Sequence, residues 1–198
     1  MLHTISVHYL SARIAELEDD IPGLRVRVYS DNLRVCCQFL QEGTCDFLLY
    51  YRHKDVMPVF DERQFERKDI GTEQLIPVAA TDVAQAQGWD LSAQNGDDIP
   101  YLGYDPASLL GTVVDQTIGT RKPRLALCYM DALVEALKRR ALYGSGVAWL
   151  PEGSVAGEIA QGLLVPVGGK EWQATLTLSL FCSVDRLDRV GKAVWDAL

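Results

Sequence analysis

The sequence predicts an α/β fold, and three observations lead to that expectation. Apolar residues recur three and four apart in some stretches, as on one face of a helix. In others they form short unbroken runs, as in buried strands. The two patterns alternate for most of the length, with Gly and Pro between them where turns are needed.

The first helix is expected from Val7, Leu10, Ile14, Leu17 and Ile21, with Pro22-Gly23 as its stop. Leu24 to Tyr29 reads as a strand, because Arg25 and Arg27 alternate with Val26 and Val28. Leu33, Cys36, Cys37 and Leu40 share one face of a second helix, which ends at Gly43. Cys45 to Tyr50 is continuously apolar enough for a buried strand. Arg52 to Asp69 is polar and irregular and is expected to be a surface loop.

Strand character returns from Gln74 to Ala80, and a turn-rich stretch from Trp89 to Pro100 holds Asn95-Gly96. Tyr101–Tyr104 is a short strand. Leu110, Val113, Val114 and Ile118 mark a helix. Arg124–Tyr129 is a strand, followed by a helix over Asp131–Leu142 with Asp131 placed to cap it. Strands are expected at Val147–Leu150, Leu163–Val167 and Leu176–Phe181, and a last amphipathic helix at Leu187, Val190, Val194 and Leu198.

The 198 residues, 48% of them hydrophobic, suffice for one sizeable domain or two small lobes. No run of about eighteen apolar residues points to a membrane span. The opening MLHTISVHYLSAR lacks the layout of a signal peptide. A cytoplasmic location is therefore expected.

The net charge is −8. Duplex DNA needs clustered Lys and Arg, so this chain alone is not expected to bind it specifically. Lys138-Arg139-Arg140, the densest basic cluster, closes a predicted helix and complements its dipole there. Five cysteines without a C-x-x-C pair suggest reduced thiols rather than zinc or disulfides. Cys36 and Cys37 fall on an apolar helix face and are expected in the core, as are Met57 and Met130. The histidines His3, His8 and His53 belong to no nucleophile or metal motif, and neither G-x-S-x-G nor a phosphate loop occurs. No enzyme and no cofactor are expected.

The stretch ALYGSGVAWLP at residues 141–151 is the sharpest signal. A helix ends in G-x-G, a short apolar strand follows, and Leu-Pro closes it. Glu158 to Val165 continues with a helix turn, a glycine stop at Gly162 and another strand. Gly144 suits the left-handed end of a helix, and Gly146 permits close backbone packing. This pattern resembles the regulatory domain of LysR-type transcriptional regulators. Leu33–Leu49, Leu75–Ala80 and Ser179–Leu198 resemble further parts of that domain, so the likeness covers nearly the whole chain. His3-Thr4-Ile5-Ser6 and Ala148 to Glu152 are also similar to the hypochlorite-responsive subgroup.

The resemblance implies a two-lobed, type II periplasmic-binding-protein-like fold with two interlobe crossovers. Lobe I would comprise residues 1–76 and 180–198, and lobe II residues 77–179. It also implies a small polar effector in the interlobe cleft, a homodimer, and a tetramer in the full-length protein. No DNA-reading helix-turn-helix is found, and the family's first regulatory strand is nearly lacking. Both departures suggest that the chain is a fragment whose DNA contacts lie in an N-terminal domain.

Thr4 and Ser6 are expected where the first strand enters the first helix. Their hydroxyls there either hold the effector or cap the helix. Tyr51 should follow the end of its strand. Thr81, Tyr104, Asp105, Met130 and Asp131 take comparable strand-end positions in lobe II. Asp105 and Asp131 disfavour an anionic effector unless His3 or Arg52 supplies positive charge. Two alternatives stand beside the effector: oxidant sensing through Met or Cys, and a free-standing solute-binding protein.

Overall fold

The computed structural model describes residues 3–93, 96–121 and 123–198. Asn95 of the expected Asn95-Gly96 turn lies outside them. The chain forms two compact units. Unit 1 comprises Met1–Thr72 and Thr177–Leu198, and unit 2 comprises Glu73–Leu176. The chain leaves unit 1 within strand β2 (Glu66–Ala80) and re-enters it within β7 (Ala174–Cys182).

Unit 1 opens with α1 (His3–Ile5), a π-helical stretch over Ser6–Leu10, and α2 (Ser11–Asp20). It continues with α3 (Leu33–Glu42) and β1 (Phe47–Arg52) and closes with α8 (Arg189–Ala197). β1 runs antiparallel to β7, from Phe47 opposite Cys182 to Arg52 opposite Thr177. Helix α3 forms as its sequence dictates. The Asn32 side chain accepts the Val35 N–H at 3.1 Å, and Cys36, Cys37 and Leu40 are buried. Gly43 ends the helix at φ 73°. Tyr50 stacks on Phe181 with ring centroids 5.3 Å apart.

Three expectations fail in unit 1. The first helix does not keep one apolar face, because the π-helical stretch adds a residue to the turn and shifts the phase. Leu17 and Ile21 are buried, but Val7 is 60% exposed. Leu24–Tyr29 is extended but joins no sheet among the described residues, and Val26 and Val28 are exposed. The polar stretch expected to be a loop up to Asp69 already becomes strand at Glu66. Cross-strand partners allow this. Asp69 accepts the Ser179 hydroxyl at 2.7 Å and pairs with Arg67 Nε at 3.4 Å. The Lys68 ammonium lies 4.8 Å from the Trp195 ring centroid.

Unit 2 contains α4 (Thr81–Gln87), β3 (Ile99–Tyr104), α5 (Leu109–Ile118), β4 (Leu125–Asp131) and α6 (Val134–Leu142). It continues with β5 (Ala148–Pro151), α7 (Glu152–Ala160) and β6 (Leu164–Pro166). β5 and β6 both pair antiparallel with β2. β3 and β4 pair in parallel, with an irregularity at Tyr101/Leu102. Trp149 is fully buried. Its indole N–H donates to the Trp172 carbonyl at 2.7 Å, and its own carbonyl accepts the Tyr104 hydroxyl at 2.8 Å.

Two further expectations are corrected here. Helix α6 starts at Val134, with Leu133 at its N-cap position and no side-chain cap, while Asp131 belongs to β4. Of the basic cluster expected to close this helix, Arg139 and Arg140 lie in the last turn, whereas Lys138 does not. It is buried, donating to the Ser154 carbonyl at 3.0 Å and pairing with Glu135 at 3.1 Å and Glu158 at 3.3 Å. An ammonium taken out of water needs such partners.

The glycines of the 141–151 stretch are steric necessities. Gly144 has φ 71°, and a Cβ there would lie 2.6 Å from Val83 Cγ2. A Cβ on Gly146 would lie 2.4 Å from the Pro100 carbonyl oxygen, which also accepts the Val147 N–H at 2.8 Å. Backbone held in a ladder cannot yield as a side chain can. Gly146→Ala is therefore expected to destabilise the protein by about 1–3 kcal/mol. Gly157→Ala, in α7 with nothing within 4 Å, is expected to stabilise it by about 0.5–1 kcal/mol. Urea unfolding midpoints of the two variants check both signs.

Candidate functional site

The expected site residues of unit 2 gather at the ends of β3 and β4. In the parallel register Tyr104 stands opposite Asp131 and Gly103 opposite Met130. The Asp105 N–H donates to the Asp131 carbonyl at 3.1 Å. The sequence thus brings Tyr104, Asp105, Met130 and Asp131 to one strand edge, and the parallel pairing is the reason.

Their polar groups are mostly engaged with their own surroundings. Tyr104 is buried and bonded to Trp149. One Asp105 carboxylate oxygen accepts the Ala107 N–H at 2.8 Å. Asp131 accepts the Leu133 N–H at 2.9 Å and the Tyr129 hydroxyl at 2.7 Å. The backbone bond from Leu133 and then the bond from Tyr129 hold the Asp131 carboxyl below the usual carboxylate range. Both carboxylates stabilise the turns that leave their strands. Met130 is 44% exposed rather than in the core.

Thr81 is different. It opens α4, its N–H donates to the Leu163 carbonyl at 3.1 Å, and its hydroxyl is buried with no hydrogen-bond partner. Its Oγ1 is the one buried side-chain polar atom without a partner among the described residues.

In unit 1 the expected site residues take other positions. Thr4 is buried inside α1, and Ser6 lies in the π-helical stretch, where its carbonyl accepts the Ser11 hydroxyl at 3.1 Å. Neither caps a helix after a strand. Tyr51 does not follow β1. It lies within the strand, buried opposite Leu178, because β1 runs on to Arg52.

Arg52 is engaged in a cluster that sequence reasoning missed. The Glu62 carboxylate accepts from the Tyr50 hydroxyl and from Arg52 Nε at 2.9 Å, with Arg67 3.8 Å from its other oxygen. Burial, together with the bond to Glu62, pushes the Tyr50 hydroxyl well above its ordinary value. The separation of ten positions from Arg52 to Glu62 follows no helix or strand period, so spacing held no signal for this contact.

The thiols are mostly buried. Burial pushes Cys37 up to about 12 and Cys182 up to about 11. Cys45 is raised for the same reason, whereas Cys128 is exposed. Met57 is 84% exposed, against the expectation of a core role. Among the described residues no group of three or more His, Cys, Asp or Glu side chains could hold a metal ion. No helix among them is long and apolar enough to cross a membrane.

The whole chain, residues 1–198, matches the LysR substrate binding domain. The protein belongs to that family, and its fold is the type II periplasmic-binding-protein-like α/β fold. It is 29% identical over 161 residues to the HTH domain-truncated transcriptional regulator QseD of Escherichia coli O157:H7. That match covers 80% of this chain and 63% of QseD, so the chain spans less than two thirds of its relative. The crystal structure of VV2_1132, a LysR family transcriptional regulator, superposes with a TM-score of 0.82 at 25% identity, covering 99% of this chain and 66% of that one. The regulatory domain of the HypT M206Q mutant from Salmonella typhimurium gives a TM-score of 0.80 at 21% identity, covering 99% and 92%. These relatives are regulators of transcription.

The lowered Asp131 value sets a direction for pH dependence. A carboxylate depressed on folding contributes stability that is fully present above about pH 4, the unfolded value, and is lost as the pH falls through the folded value. Wild type is expected to melt above Asp131→Asn at pH 7, and the gap is expected to close on acidification. Thermal midpoints of both proteins between pH 7 and pH 2 test this, and a gap that widens in acid would contradict it.

Proposed function

We propose that the chain is the effector-sensing and dimerisation domain of a LysR-type transcriptional regulator. Its lobes follow the division expected from the sequence, and it takes a small polar molecule in the interlobe cleft that the family resemblance implies. In the whole protein it serves a cytoplasmic homodimer or tetramer that reaches DNA through an N-terminal domain. Family membership and regulatory relatives support this reading. A ligand that prefers one arrangement of the domain shifts its population and so acts on the attached DNA-binding parts.

The unpartnered Thr81 hydroxyl carries the effector reading. A buried polar group without a partner costs about 1–3 kcal/mol, which a bound polar ligand relieves. Ser6 supplies a second hydroxyl, and Thr4, Tyr51, Tyr104, Asp105, Met130 and Asp131 shape the site around them. Calorimetric titration with small carboxylates, amino acids and phosphorylated metabolites is expected to find a binder. Thr81→Val and Ser6→Ala should each weaken it about tenfold, the equivalent of one lost hydrogen bond of about 1.4 kcal/mol. Unchanged affinity in both variants would remove these residues from the site.

Exposed apolar side chains favour self-association. Unit 1 presents Val26, Val28 and Tyr29, and unit 2 presents Leu127, Met130 and Leu133. In an antiparallel two-fold dimer each set meets the other on the second copy. Light scattering at about 20 μM is expected to give a dimer of roughly micromolar affinity. Val28→Asp and Leu127→Asp should each give a monomer, and a monomeric wild type would refute the assembly.

The exposure of Met57 and Met130 favours one other reading, oxidant sensing by thioether oxidation. The raised Cys37 and Cys182 values oppose a thiol route. Selective sulfoxide formation at Met57 or Met130 under hypochlorite, with no binder in calorimetry, would favour it.

A further inference from the structure

Unit 1 contains a cavity of about 560 Å³. That size is within the range of about 300–1,000 Å³ over which small-molecule sites are found. Every residue of its lining belongs to unit 1, and none is an expected effector residue. The lining is largely apolar. Leu10 and Leu17 come from the first helical region, Leu48 from β1, and Val190 and Val194 from α8. Val26 and Val28 line it as well and remain 45% and 39% exposed. Apolar surface of this kind, left in contact with water along a concavity, marks a place where another molecule binds.

The charges of the lining are unequal. Arg13, Arg25, Arg27 and Arg186 stand against Asp46 and Asp188. Asp188 is already engaged, since its carboxylate accepts the Gly191 N–H at 2.7 Å and caps α8. Arg13 pairs with Glu16 and donates to the Ala197 carbonyl, and Arg186 donates to the Gln41 carbonyl at 3.3 Å. Arg25 and Arg27 pair with no carboxylate among the described residues, and Arg27 donates to the Tyr29 hydroxyl at 3.5 Å. In a chain of net charge −8, two neighbouring guanidiniums without an acid are a local exception. A guanidinium presents its N–H groups in a planar fork that matches a carboxylate.

We infer that the cavity of unit 1 binds a single-chain carboxylate, with its aliphatic tail against the apolar lining and its carboxylate on Arg25 and Arg27. The tail follows from the volume. A single-ring acid such as benzoate would leave much of the 560 Å³ without contacts, whereas a flexible chain of about a dozen carbons can fold to cover the apolar lining. The head follows from the charge. A cationic headgroup would meet two guanidiniums of its own sign, and an uncharged one would leave them without a partner. Val26 lies between the two arginines in sequence, so tail and head contacts adjoin on one segment. Such a ligand differs in kind from the small polar effector, and its binding is independent of the effector reading. Because it binds the folded chain and not the unfolded one, it raises the stability of unit 1.

Calorimetry and NMR of the whole chain with sodium dodecanoate, held below its micelle-forming concentration, test the site. Wild type is expected to bind one dodecanoate per chain, with amide shift changes centred on residues 24–28 and 47–49 and a higher thermal midpoint. Decanoate should bind about fifteenfold more weakly, because two methylene groups leave the lining. Butyrate and dodecyltrimethylammonium should show no saturable binding. An Arg25→Gln, Arg27→Gln double variant should bind dodecanoate about fivefold more weakly and with less dependence on salt. Should that variant fail to fold, Ile14→Trp, which narrows the cavity, must abolish binding. No saturable binding of dodecanoate, equal binding of butyrate or of the cationic amphiphile, or unchanged affinity in the variants would overturn the proposal. Shift changes confined to Glu73–Leu176 would give the ligand to unit 2 and overturn it equally. So would association with phosphatidylglycerol vesicles in place of monomeric dodecanoate, which would give the surface to a membrane.

Discussion

The anchoring of Trp149 is the constraint on which unit 2 depends. The indole is too large and too polar at one edge to be buried without a partner, and the Trp172 carbonyl supplies that partner. The Trp149 carbonyl fixes the hydroxyl of Tyr104, so the end of β3 is tied to the middle of β5. Tyr101 meets the same indole edge-on, with ring centroids 5.7 Å apart. Once these bonds are made, the register of β5 on β2 leaves little choice. Gly146 must pass against Pro100, and Gly144 must end α6 beside Val83.

Unit 1 is organised differently. Its core is apolar along α3, β1 and β7, but one margin is held by charge. Glu62 gathers Tyr50, Arg52 and Arg67, and Asp69 gathers Arg67 and Ser179. Groups of this kind are costly to strand without partners and specific once paired. Rings close the remaining space, with Phe60 edge-on to Tyr50, Phe65 and Phe181. The cavity of unit 1 lies near Leu24–Tyr29, where Tyr29 and Phe39 meet with ring centroids 5.5 Å apart.

Much of the fold was legible in the sequence wherever one physical cause governed a segment. Helix α3 declared its apolar face, its cap and its glycine stop, and the 141–151 stretch declared a helix end and a buried strand. Errors arose where the cause was distant. Glu66–Asp69 looks like a loop until its charges meet Ser179 and Trp195, more than a hundred residues away. Leu24–Tyr29 alternates like a strand, but alternation cannot supply the partner that makes a ladder. The candidate site was legible only in part. Strand ends pointed to Tyr104, Asp105, Met130 and Asp131, while the isolation of the Thr81 hydroxyl could be seen only after folding.

The distribution of thiols has a practical consequence. Cys36, Cys37 and Cys182 are buried, and burial raises the Cys45 thiol above its ordinary value. Cys128 is open to solvent on β4, beside the carbonyls of Tyr101 and Ser145. A maleimide fluorophore or nitroxide can therefore be attached at one native residue, without first stripping the protein of its other cysteines. Leu127, its neighbour in the strand, belongs to the exposed apolar set, so such a probe would report the covering of that face by any other molecule as a change in emission or spin mobility.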